Sequence, residues 1–154
     1  MQVDPQTGDV YALAESGWVF RSTDHARTWS AYAKFMAPYR YERLFVHRGP
    51  AGLAIYAISD NATYRRHLLR LESDGTTKPL PIAQVQDVAF GAAGMYVAWE
   101  DGVSLSTDGG LTYANVVGGE PAFHSVACWH VRASGTTVIA SCTSDADPEH
   151  LAHQ

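Results

Sequence analysis

Apolar and polar positions alternate in short runs along nearly the whole chain, with turn residues between the runs. Read in order, the runs predict strands at Asp9–Glu15, Trp18–Thr23 and Trp29–Lys34, then at Glu42–His47, Leu53–Ser59, His67–Glu72 and Thr77–Leu80. A third group follows at Gln84–Phe90, Met95–Glu100, Val103–Ser106 and Thr112–Val117, and a last pair at Phe123–Arg132 and Thr136–Cys142. No stretch holds a 3.6-residue period over the length of a helix; only the tail Asp147–Gln154 has room for one turn. The expected class is all-β, with thirteen antiparallel strands.

The chain also repeats itself. Ser22-Thr23-Asp24-His25-Ala26-Arg27-Thr28-Trp29 and Ser106-Thr107-Asp108-Gly109-Gly110-Leu111-Thr112-Tyr113 both fit S-x-D-x-x-x-T-aromatic, and their starts are 84 residues apart. Their lead-ins match as well: Tyr11-Ala12-Leu13-Ala14-Glu15-Ser16-Gly17 parallels Tyr96-Val97-Ala98-Trp99-Glu100-Asp101-Gly102. A worn copy, Ser73-Asp74-Gly75-Thr76-Thr77, lies between them, so the unit is near 42 residues. Short alternating strands at that period predict a β-propeller. About three to four blades of four antiparallel strands are expected: blade 1 about 1–35, blade 2 about 40–81, blade 3 about 83–118, an incomplete blade 4 about 122–145, and a tail 146–154. On this reading the first blade lacks its first strand and the last blade its final two. Open sheet edges are a hazard, so the expectation is a piece of a longer chain, or else copies that associate to close the ring.

Within each motif the residues divide the labour of a turn. The carboxylate of Asp24 or Asp108 accepts hydrogen bonds from N–H groups of its own turn, and the Ser22/Thr28 or Ser106/Thr112 hydroxyls tie the strand ends together. Gly110 supplies a positive φ, a position held by Ala26 in the first motif. Trp29 or Tyr113 is expected to fold over the hairpin and bury its ring between blades. Asp24 and Asp108 are therefore structural, not a catalytic pair.

This motif resembles the Asp-box, or BNR repeat, of sialidases, xyloglucanase-type glycosidases, sortilin-type receptor ectodomains and photosystem II assembly factors of the WD40/YVTN/BNR-like group. The opening Val3-Asp4-Pro5-Gln6-Thr7-Gly8-Asp9-Val10-Tyr11-Ala12 is similar to a strand opening common in the last group. The resemblance covers most of the chain as a repeat pattern. It implies an Asp-box propeller, and it implies that in the glycosidases the face opposite the motif turns carries the active site.

On that face the sequence places Tyr39, Arg40, Tyr64, Arg65, Arg66, Glu100 and Asp101. The arginines could clamp a carboxylate or sulfate, and the tyrosines could stack on a sugar; a solvated rim of charged loops is the plainer reading. A sialidase would need an arginine triad, a tyrosine nucleophile and an F/Y-R-I-P segment, of which Ala37-Pro38-Tyr39-Arg40 is only an echo. A xyloglucanase-type enzyme would need cleft aspartates between two propellers. The expected function is therefore non-catalytic: binding or scaffolding of a protein or glycan through the loop face. The alternative is part of a glycoside hydrolase whose catalytic residues lie largely outside this chain.

Composition narrows this only a little. The 154 residues suffice for one domain. Charged residues are 18%, which suits sheets and tight turns, and the net charge of −5 argues against phosphate-backbone recognition of nucleic acid. No apolar run is long enough for a membrane span, and no signal peptide is expected in the opening residues. No cofactor or metal is expected: His124 and His130 lack a third ligand, His150 and His153 lie in the tail, and Ser125 beside His124 is no triad. Asn61-Ala62-Thr63 is a formal glycosylation sequon on a predicted loop. Cys128 and Cys142 flank a turn at Ser134-Gly135 and could face each other; two buried free thiols are favoured over a disulfide.

Overall fold

The computed structural model describes residues 1–36, 40–60, 66–118 and 126–144. Among them the chain is all-β, and no helix is long and apolar enough to cross a membrane. Four antiparallel sheets follow one another along the chain, each a simple meander. The first holds β1 (Gln2–Val3), β2 (Val10–Leu13), β3 (Trp18–Ser22) and β4 (Ser30–Lys34). The second holds β5 (Arg40–Gly49), β6 (Gly52–Asp60), β7 (Arg66–Leu71) and β8 (Thr77–Ala83). The third holds β9 (Val85–Gly91), β10 (Gly94–Trp99), β11 (Gly102–Ser106) and β12 (Ala114–Gly118), and the fourth β13 (Val126–Ser134) and β14 (Thr137–Ser144). The chain divides into two compact units, Met1–Ala83 and Gln84–Gln154.

The first sheet is not one strand short. Gln2 pairs with Tyr11 and Val3 with Val10, so β1 completes four strands where alternation alone begins at Asp9. Two residues are too few to alternate. Elsewhere the alternation ends early: β8 continues through Pro81 to Ala83, because prolines are tolerated on an edge strand whose outer N–H groups have no ladder partner.

Each unit fills the space between its two sheets. In the first, Tyr11 and Val19 meet Leu44, Ile55, Ala57 and Leu69 around Phe35 and Tyr41. Gly17 makes this approach possible: at φ +89° it turns the chain where a Cβ would lie 2.7 Å from the Tyr41 ring. In the second, Ala89, Tyr96, Ala98 and Val103 pack with Cys128 and Val131.

The repeat reaches below the residue pattern into the ladders. The β3–β4 register shifts between Val19 and Phe20, and the β11–β12 register between Val103 and Ser104. Both bulges stand at the same step before the motif serine. Val19 and Val103 are both fully buried there.

In the fourth sheet Cys128 lies directly opposite Cys142, and the two are disulfide-bonded. The expected pair of free thiols is therefore corrected. Turn spacing alone could not fix the register, and a one-residue slip would have put the two sulfurs on opposite faces.

Candidate functional site

The two motif turns join β3 to β4 and β11 to β12. In the first, Oδ1 of Asp24 accepts from the Ser22 hydroxyl at 2.7 Å and from the Arg27 and Thr28 N–H groups at 3.1 and 2.8 Å. Oδ2 accepts from the Thr28 hydroxyl at 2.6 Å, while Ser22 Oγ accepts from the Ala26 N–H at 2.9 Å. The second turn makes the same five bonds: Asp108 Oδ1 accepts from Ser106 Oγ, Leu111 N and Thr112 N at 2.8, 2.9 and 3.0 Å, and Oδ2 from Thr112 Oγ1 at 2.6 Å. Gly110 N donates to Ser106 Oγ at 2.8 Å. Ser22 and Ser106 are buried beneath their turns.

These bonds hold both carboxyls well below the usual carboxylate range, the threonine hydroxyl contributing most in each. Each carboxylate has both oxygens engaged inside its own turn. Neither is poised to give or take a proton near neutrality. The two turns differ in backbone chemistry: Gly109 and Gly110 take positive φ in one, His25 and Ala26 in the other, at φ 61° and 67°. The worn copy between β7 and β8 keeps less, with Asp74 Oδ1 accepting from the Thr76 N–H and hydroxyl at 2.8 and 2.7 Å.

The aromatic position departs from expectation. Trp29 is 40% exposed rather than buried between sheets. Tyr113 is half-buried.

The proposed ligand loops resolve in part. In the first unit the β2–β3 turn and the chain entering β5 lie at one end, where Gly17 O accepts from Phe35 N at 3.0 Å and Arg40 pairs with Glu15. Arg66 pairs with Glu42, Nε to Oε2 at 3.2 Å. Each of these two guanidiniums therefore already faces a carboxylate. In the second unit Glu100 and Asp101 are exposed on the β10–β11 turn. Tyr39, Tyr64 and Arg65 lie outside the described residues, as do the Asn61 sequon, His124, Ser125, His150 and His153. Among the described residues no set of three His, Cys, Asp or Glu side chains comes together to hold a metal. A groove of about 430 Å³ in the first unit, lined by Tyr32, Leu53, Leu71 and Ser73, opens beside the β7–β8 turn instead.

Two further carboxylates escaped the sequence reading. Asp4, fully buried, accepts from Gln6 N at 3.0 Å and Thr7 Oγ1 at 3.1 Å, and from Nε and Nη2 of Arg48 at 2.8 and 2.5 Å. The Arg48 guanidinium, first among these, holds the Asp4 carboxyl down to about 2 against the opposing effect of burial. Asp87, also fully buried, accepts from Val88 N at 2.9 Å and from Nη1 of Arg132 at 2.6 Å. In each unit an aspartate of one sheet thus clasps an arginine on the first strand of the next. The available signal was the spacing: Arg48 and Arg132 are 84 residues apart, as are the motif serines.

Comparison with protein-family models, with curated proteins and with solved structures finds nothing that matches this chain.

Proposed function

We propose that the four meanders are blades of one Asp-box propeller. On this reading the chain is a non-catalytic binding or scaffolding module that presents its loop face to a protein or glycan. The observation that carries this reading is the pair of motif turns, which share five hydrogen bonds atom for atom and a bulge at one position. Two unrelated hairpins have no reason to share both. Carboxylates engaged in this way support a structural role for the motif. The working surface is left to the loops at the other strand ends.

The test is a glycan array probed with the chain and with the double variant Arg65→Ala, Arg66→Ala. An anionic glycan that binds the parent and is lost by the variant, at nearly unchanged melting temperature, is the expected result. An equal loss of stability would assign those arginines to the framework. Turnover of an aryl glycoside by the purified chain would overturn the non-catalytic reading in favour of a glycosidase.

A further inference from the structure

Among the described arginines, four meet a carboxylate in one way. Arg21 on Asp9, Arg40 on Glu15, Arg48 on Asp4 and Arg70 on Glu72 each turn the Nε/Nη2 edge of the guanidinium onto the acid. That edge is the two-pronged donor that matches an oxyanion. Arg132 departs from the pattern. It reaches Asp87 through Nη1 alone, at 2.6 Å, and the same nitrogen donates to Val131 O at 2.7 Å. Its Nε/Nη2 edge meets no acceptor among the described residues, and the side chain is 69% exposed.

A neighbouring imidazole approaches the same carboxylate. His130 Nδ1 lies 3.5 Å from Oδ2 of Asp87, the oxygen that holds Arg132, and the imidazole is 64% exposed. Asp87 is itself fully buried and also fixed by Val88 N and, at 3.3 Å, Val131 N. One nitrogen-bearing head is thus hydrogen-bonded to a buried carboxylate and a second lies beside the same oxygen, and both side chains are largely exposed. Such an arrangement holds donors in place before a ligand arrives.

We propose that Arg132 and His130 form a binding site for a phosphate ion on the first strand of the fourth sheet. The open guanidinium edge takes two of the anion's oxygens. With an Nδ1 proton turned toward the Asp87 carboxylate, His130 presents Nε2 as a donor when the ring is protonated and as an acceptor when it is neutral. Hydrogen phosphate meets either form, because near neutrality it carries both O⁻ and O–H. Sulfate carries no O–H and meets only the protonated ring. The Asp87–Arg132 pair is neutral overall, so the site selects by hydrogen-bond geometry more than by net charge.

The probes are inorganic phosphate and, separately, sulfate, titrated at constant ionic strength into the isotope-labelled chain near pH 7.5. The readouts are the Arg132 Nε–Hε resonance and the His130 ring signals. Saturable shifts with phosphate are expected, with a dissociation constant on the order of millimolar, and weaker ones with sulfate. Arg132→Gln should abolish saturation. Arg132→Lys, which keeps a cation beside Asp87 but loses the two-pronged edge, should weaken binding about tenfold while leaving the β13–β14 amide signals in place. Arg27→Gln, at an exposed arginine on the first motif turn, should bind as the parent does. Unchanged Arg132 signals, equal binding by Arg132→Lys, or sulfate binding as tight as phosphate would each overturn the assignment.

Discussion

At the scale of single residues, the two motif turns are a natural experiment in backbone conformation. They make the same hydrogen bonds, yet one places glycines and the other His25 and Ala26 at positive φ. The left-handed region costs a residue with a Cβ about 1 kcal/mol relative to glycine. Ala26→Gly should therefore stabilise the chain by about 1 kcal/mol in urea unfolding, and Gly110→Ala should destabilise it by a similar amount. The carboxylates respond differently. Asp24→Asn keeps Oδ1 for the two turn N–H groups but sets an amide NH₂ against the Thr28 hydroxyl, so it should melt below the parent and above Asp24→Ala. The same depressed carboxyls fix an acid limit. A folded-state pKa below the unfolded value gives stability that is present above the unfolded value and lost as pH falls through the folded one. With Asp4 near 2 and Asp24 and Asp108 also lowered, unfolding by circular dichroism should set in as pH drops from about 4 towards 2. Arg48→Gln, removing the main cause at Asp4, should move that limb to higher pH.

At the scale of strands and hairpins, what could be read from the sequence was whatever forms an alternating or unbroken apolar run between turn residues. β10 declares itself because Met95 to Ala98 lie at the heart of a sheet between turn residues, and the motif turns because their hydrogen bonds are local. β1 was hidden because a two-residue strand has no period, and the length of β8 because proline reads as a stop. The Asp4–Arg48 and Asp87–Arg132 clasps were hidden for another reason: they join positions 44 and 45 residues apart. No local rule reaches that far. The exposure of Trp29 likewise depends on what stands against the hairpin. The disulfide gives this scale its prediction. It bridges a sequence separation of 14, so Cys128→Ser with Cys142→Ser should cost about 3 kcal/mol. Alkylation without reductant should label neither sulfur in the parent.

For the chain as a whole, the edges decide behaviour in solution. β8, an outer strand, is guarded by Lys78, Pro79 and Pro81. β12 and β14 are not: Ala114–Gly118 and Thr137–Ser144 carry no charge and no proline, with Val116 and Val117 about half exposed and Ile139 at 69%. Unguarded edges of β-branched residues pair with other chains. Light scattering should accordingly show association that grows with concentration, and Ile139→Lys should suppress it. A monodisperse peak at 16.7 kDa up to high concentration would sink this view. A clean dimer would favour two copies closing a ring.

The position of the disulfide in its hairpin has a mechanical meaning. Cys128–Cys142 is the third pair from the open end, behind Val126–Ser144 and Ala127–Thr143. Tension applied to the chain on either side of the hairpin would peel only those two pairs before it reached a covalent bond. The rest of the hairpin, to its turn at Ser134 and Thr137, would carry no load. Those 14 steps of chain, about 50 Å of contour at full extension, stay out of reach of a pulling force until the bond is reduced.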